Sequence, residues 1–156
     1  RSSGAEGYAE MLVPARGDIV IDQFDAQGPG KAVFGYGSGW HESELDPSKS
    51  SRNFWRWMSE KGELRVRGVR GQALHLRLDG VTETFSRPSR VVVSAGDRVL
   101  STQDAGPTFS IAVDLPADLV GDGLEHVITV ATDQFFVPPG DGRHLGLKIF
   151  STRLSN

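Results

Sequence analysis

The chain has 156 residues, 38% hydrophobic and 24% charged, which fits one globular domain with a real core and excludes an intrinsically disordered chain. It contains no cysteine and has a formal net charge of −3, which removes disulfides, zinc–thiolate sites and cysteine nucleophiles and argues against the basic stripe of a nucleic-acid binder. Nineteen glycines and eight prolines between short apolar runs predict many reversals and an all-β protein.

The first ten residues read as a linker, and a linker or expression-derived segment is expected over residues 1–16. The first residue is Arg rather than Met, which suits a domain cut or processed from a longer chain. "GDIVIDQFD" (17–25) reads as a strand burying Ile19 and Ile21 or Val20, and "GPGK" (28–31) as a turn. "AVFGYGSGW" (32–40) is apolar and glycine-rich, a strand running into a loop, and "HESELDPSKSSRN" (41–53) is a polar loop. In "NFWRWM" (53–58), strand alternation puts Trp55 and Trp57 on one face, with Phe54, Arg56 and Met58 on the other. "SEKG" (59–62) is a turn, and "ELRVRGV" (63–69) sets Leu64 and Val66 against Arg65 and Arg67.

"ALHLRLDGV" (73–81) alternates Leu74, Leu76 and Leu78 with His75, Arg77 and Asp79, the pattern of a half-buried strand. "RPSRVVVSAGDRVL" (87–100) reads as a hairpin turning at "AGD". "PTFSIAVDLP" (107–116) alternates Phe109, Ile111, Val113 and Leu115, and "ADLVGDGL" (117–124) is a loop with room for one helical turn. "EHVITVATDQFFVPPGDG" (125–142) is a strand ending at the paired prolines, apolar on both faces and so expected at the centre of a sheet. "RHLGLKIFSTRL" (143–154) is the last strand. No segment has a sustained 3.6-residue apolar period, and nine or ten short strands predict a jelly-roll-like antiparallel β-sandwich over residues 17–156. No apolar run approaches the ~20 residues that cross a bilayer, so direct membrane insertion by this domain is not expected.

Catalytic motifs fail one by one. Gly35, Gly37 and Gly39 are followed by Trp40 and His41, whereas a phosphate loop requires Lys and a hydroxyl residue there and a dinucleotide fold a further glycine. There is no G-x-S-x-G elbow. His41, His75, His126 and His144 are spread singly, without the spacing of metal ligands. Glu42, Glu44 and Asp46 offer carboxylates, but glycoside hydrolysis needs two of them about 5 to 9 Å apart across a cleft. Structural calcium through Asp22 and Asp25, or Asp141, is compatible with a jelly roll, without an EF-hand spacing. The aromatics are the remaining signal. Tyr36, Trp40, Phe54, Trp55 and Trp57 crowd one quarter of the chain, and indole faces either stack on apolar faces of pyranose rings or fill cores.

Gly39–Trp40, an acid at Glu42 or Glu44, Arg56–Trp57, and the closing Asp141, Arg143, Leu145, Gly146 and Leu147 together resemble a domain of bacterial envelope proteins. It is the carbohydrate-binding-module-like β-sandwich accessory domain of membrane glycosyltransferases and related envelope glycan transferases, matched over residues 33–154. The resemblance implies either an architectural ion-pair cluster of Glu42, Arg56, Asp141 and Arg143, or a sugar or phosphate-linked glycan held by Arg56 and Arg143 beside Trp40.

Together these readings predict a non-catalytic glycan-binding or accessory module that needs no cofactor. Its expected place is the periplasmic or extracellular face of a bacterial envelope, with a saccharide and the remainder of a membrane-bound transferase as partners and no nucleic acid. The candidate ligand-binding residues are Tyr36, Trp40, His41, Glu42, Trp55, Arg56, Asp141, Arg143 and His144, with Trp40 as the ligand-facing ring and Trp57 in the core. Two alternatives stand beside this reading. One is a structural module that mediates protein contacts and binds no sugar. The other is a small hydrolase or lyase working through His41, Glu42 and Glu44.

Overall fold

The computed structural model describes residues 32–45, 54–82 and 85–156; the strand expected at 17–25 and the turn at 28–31 lie outside them. Ten strands and one helical turn follow in order: β1 Val33–Tyr36, β2 Glu44–Leu45, β3 Phe54–Met58, β4 Lys61–Arg67, β5 Leu74–Val81, β6 Ser89–Ala95, β7 Arg98–Ala105, β8 Thr108–Leu115, α1 Ala117–Val120, β9 Glu125–Thr132 and β10 Leu147–Ser155. They form two five-stranded sheets ordered β1-β4-β9-β6-β7 and β2-β3-β10-β5-β8, and every strand pair is antiparallel. The protein is an all-β, jelly-roll-like sandwich.

Alternation makes the two inner faces. Leu74, Leu76 and Leu78 of β5 point inward beside Ile111, Val113 and Leu115 of β8, and meet Leu64, Val66, Val93, Ile128 and Val130 of the other sheet. These side chains are at most 4% exposed, and burying each apolar side chain contributes on the order of 1.5–3 kcal/mol. β9 is the middle strand of its sheet, and β10 the middle strand of the other, so both pair on two edges.

Three of the connections that cross between the sheets at one end of the sandwich position the loops around β3. The chain leaves β1 through a turn at Gly39 (φ 87°), where any Cβ would collide with the Lys61 carbonyl. Trp40 then bridges to Met58, and His41 N donates to the Trp57 carbonyl at 2.9 Å. The second crossing joins β3 to β4 at Ser59–Glu60, and the third is the loop 133–146 between β9 and β10. This loop is tied down by a bridge between Phe136 and Leu145 and by Gly146 N donating to the Met58 carbonyl at 2.7 Å.

Beyond small shifts of strand ends, such as β9 stopping at Thr132 short of the paired prolines and β4 beginning at Lys61, four details differ from the sequence reading. Glu44–Leu45, expected in a loop, is an edge strand paired with Phe54–Trp55; backbone pairing needs no apolar pattern at a short outer edge. Residues 143–146, expected in the last strand, belong to the preceding loop, because Arg143 turns to Asp141. β7 runs on past Leu100 to Ala105, paired with β6 throughout. Trp57 is buried, at 7% exposure, but outside the space between the sheets. It pairs across β10 with outward-facing Lys148, while the next pair, Met58 and Leu147, enters the core. The loop 133–146 covers Trp57, with the Phe136 ring edge-on at 5.7 Å.

Candidate functional site: an aromatic cleft at the sandwich edge

A β-bulge interrupts β10 between Ile149 and Ser151 and leaves Phe150 at the surface, 47% exposed. Beside it lies a cleft of about 100 Å³. Phe54, Trp55 and Phe150 supply its aromatic side, and Tyr36, Ser43, Arg56 and Ser151 its polar groups. Phe54 is also exposed, at 46%, and Trp55 is half-buried.

Trp55 is held in orientation by side chains from three parts of the chain. Its Nε1 donates to Glu44 Oε1 at 3.2 Å. The other Glu44 oxygen accepts from Arg143 Nη1 at 2.8 Å. Arg143 in turn forks onto Asp141, from Nε at 3.0 Å and from Nη2 at 2.8 Å to Oδ2, and its backbone N donates to Asp141 Oδ1. Charge-assisted, bidentate bonds of this kind are the strong ones. The Arg143 side chain and backbone bonds, with its charge, hold the Asp141 carboxyl below its usual value against a weaker effect of burial. Asp141 first, then Glu44, raises the Arg143 guanidinium above its own. The Lys148 ammonium stands 4.4 Å from the Trp55 ring centre and 5.8 Å from those of Trp57 and Phe150, within cation–π range.

Arg56 faces the other way, toward the opposite sheet. Its guanidinium lies 4.2 Å from the Tyr36 ring centre, and Nη1 donates to the His41 carbonyl at 2.8 Å. This side chain ties the β1 edge to β3 and floors the cleft.

The expected site residues therefore separate. Tyr36, Trp55 and Arg56 line the cleft, and Asp141 and Arg143 brace it. In the ion-pair cluster, the acid is Glu44 and not Glu42, which is exposed; Arg56 is not among the ion pairs of this cluster either. Trp40 packs against the core rather than along the cleft. Its Nε1 donates to the Glu63 carbonyl at 3.0 Å, and its ring lies 5.0 Å from Tyr36. It also sits over Gly62, where an added Cβ would come within 2.8 Å of Nε1. His41 and His144 form a separate knot on the flank. His41 Nε2 donates to the His144 carbonyl at 3.1 Å, and the His144 ring stacks on Phe135 at 4.3 Å with Nδ1 3.0 Å from Glu60 Oε1.

Sequence reasoning missed Ser43, Lys148, Phe150 and Ser151. Lys148 carried a signal, since it alternates with the apolar Leu147 and Ile149. Phe150 carried the same signal, in phase with Lys148, whereas Ser151 carried none, because the bulge breaks the period of two there.

Of the three residues considered for a hydrolase, His41 and Glu42 stand outside the cleft lining, and Glu44 is tied to Arg143 and Trp55. No group of three His, Asp or Glu is arranged to hold a metal among the described residues. Asp141 is engaged by Arg143, and Asp22 and Asp25 lie outside the described residues. No described helix is long and apolar enough to cross a membrane.

No protein-family profile and no curated protein matches the chain. Among solved structures, the chain is similar to the carbohydrate-binding module CBM6cm-2 of Cellvibrio mixtus lichenase 5A in complex with cellotriose. That match has 9% identity and a TM-score of 0.44, covering 76% of this chain and 88% of the other. A second is with the CBM22-1–GH10 modules of a Clostridium thermocellum xylanase complexed with xylohexaose, at 10% identity and TM-score 0.46, covering 76% of this chain and 26% of that one. A third is with a family 35 carbohydrate-binding module from Clostridium thermocellum, at 11% identity and TM-score 0.40, covering 74% and 88%.

Proposed function

We propose that the protein is a non-catalytic carbohydrate-binding module that takes a saccharide at the Trp55 cleft. The observation that carries this reading is the oriented indole of Trp55 beside Phe54 and Phe150, with Ser43, Arg56 and Ser151 around the same cleft. Pyranose rings present apolar C–H faces and a rim of hydroxyls. An aromatic wall with hydroxyl and guanidinium groups matches both, and holding the indole fixed beforehand lowers the ordering cost of binding. With Glu44 and Asp141 both engaged by Arg143, the site offers groups that hold a sugar rather than an acid and base that cleave one. That an envelope glycosyltransferase carries the module, outside the membrane, rests on the sequence resemblance alone.

Tryptophan fluorescence with acrylamide quenching, titrated against a panel of neutral and acidic oligosaccharides, tests the reading. Trp55→Ala is expected to remove the saccharide-protected component and weaken binding at least about tenfold, since one stacked ring supplies most of the apolar contact. Trp40→Ala is expected to lower the melting temperature and leave the protection in place. Protection that survives Trp55→Ala and disappears in Trp40→Ala would overturn the assignment. A panel that protects no indole would leave a purely structural module.

A further inference from the structure

The outer face of the β10–β5–β8 half-sheet holds an arrangement that the cleft does not account for. Arg153 of β10 and Arg77 of β5 are direct cross-strand partners. Both face solvent, because their neighbours Leu154, Leu76 and Leu78 fill the core. Like charges set directly opposite each other destabilise an antiparallel pair. Here the pair stands at the middle of a sheet, in a chain whose net charge is −3.

Among the described residues, Asp79 is the carboxylate that answers both guanidinium groups. Arg77 Nε donates to Asp79 Oδ1 at 3.1 Å. Burial acts to raise the Asp79 carboxyl, but bonds from Ser110 and Arg77 and the charges of Arg77 and Arg153 outweigh it and hold the group ionised. Asp114, on the neighbouring strand β8, is bonded to His75 Nδ1 at 2.8 Å. Arg153 makes no hydrogen bond to another described residue, and neither do the terminal nitrogens of Arg77. Beside Arg77 on β8 stands Ala112, too short to fill its place. The result is a depression of about 310 Å³ lined by Arg77, Arg153, His75 and Ser155, and by Asp114, whose carboxylate is engaged by His75.

This depression and the aromatic cleft lie on the same strand. Lys148, against the Trp55 ring, and Arg153 are five residues apart on β10, about 15 Å at the strand rise. Ser151 and the Asp79–Ser110 row lie between them. An extended oligosaccharide seated on Trp55 can run along β10 to the two arginines.

We propose that Arg77 and Arg153 form a subsite for the carboxylate of an acidic sugar unit, so that the module's ligand is a uronate-bearing saccharide. The inference rests on the saccharide reading of the Trp55 cleft. A carboxylate between the two forks accepts paired N–H donors and removes the like-charge opposition that the unliganded sheet carries. Sulfate esters present the same negative charge, but as tetrahedral oxygens, and the two sources are separated experimentally.

The test is calorimetric titration of the protein and of Arg153→Gln with oligogalacturonate, oligoglucuronate, their carboxyl-reduced counterparts, a neutral cello- and xylo-oligosaccharide panel and a heparin-derived sulfated oligosaccharide. The parent is expected to bind a uronate oligomer about tenfold tighter than its reduced form at low salt, with the preference shrinking as salt rises. Arg153→Gln is expected to erase that preference, to leave binding of the reduced form unchanged, and to melt no lower than the parent. Binding of uronate and reduced forms with equal strength, lost in Trp55→Ala and unaltered in Arg153→Gln, would overturn the acidic subsite and leave the saccharide reading standing. Binding of none of these sugars would overturn that reading and the subsite with it. Preference for the sulfated oligomer would overturn the carboxylate assignment.

Discussion

Trp55 owes its orientation to Glu44 on the neighbouring strand and, through it, to Arg143 almost a hundred residues later (99 apart). Removing Arg143 should therefore loosen a binding surface that it does not touch. The ion pairs are about one-third exposed on each side, where such pairs contribute at most about 1 kcal/mol. Arg143→Ala is expected to change stability by no more than that, while weakening saccharide binding about tenfold through an untethered Glu44 and indole. A urea melt and a sugar titration on the same preparation separate the two effects, and equal losses in both would make the bracing purely architectural. Gly39 is a second residue whose role is local. Its φ of 87° and the Lys61 carbonyl above it leave no space for a side chain. Gly39→Ala is expected to destabilise the fold by more than about 1 kcal/mol, readable as a lower denaturation midpoint at unchanged slope.

At the scale of elements, the core strands obey the period of two, and the β10 bulge does not. Leu78→Ala on β5 removes a fully buried side chain and is expected to cost about 2–5 kcal/mol in a urea melt. Val99→Ser on β7, at a position 61% exposed, should cost under about 0.5 kcal/mol. The strands of the core were legible in the sequence for the same reason that these magnitudes differ. Leu74, Leu76 and Leu78, or Ile111, Val113 and Leu115, must alternate if one face is to be dry. The cleft was only half legible. Tyr36, Trp55 and Arg56 announced themselves by composition, but which tryptophan faces outward depended on the loop 133–146, which covers Trp57 and leaves Trp55 at the cleft. Trp40 was expected to be partly exposed, and it is half-buried. What holds it, Glu63 and Gly62 of the neighbouring strand β4, is a set of contacts that no local pattern encodes.

For the molecule as a whole, acid should act in one direction. Glu60, Asp79, Asp122, Asp133 and Asp141 are all held below their ordinary values of 4.5 or 3.8. Backbone and side-chain hydrogen bonds do this at Glu60 and Asp133, His126 at Asp122 and Arg143 at Asp141, while at Asp79 such bonds overcome burial. In the unfolded chain each carboxyl binds its proton at a higher pH than in the folded one. The stability they contribute is therefore complete above about pH 5 and is lost as pH falls through the folded values. Melting temperature is expected to be flat from pH 5 to 7 and to drop steadily below pH 4, with Asp141→Asn showing a shallower drop. A melting temperature that rose on acidification would contradict these assignments.

β10 has a consequence for how the protein is made. It is the last of the described strands to be synthesised, yet it lies between β3 and β5, the two inner neighbours it joins into one sheet. Until it emerges from the ribosome, β3 and β5 each present an unpaired edge and an apolar face without a partner, which is the condition in which nascent chains aggregate or recruit chaperones. Closure of this half of the sandwich therefore waits for β10, and the Trp55 cleft, with Phe150 and Ser151 supplied by β10 itself, comes into being in the same closing step.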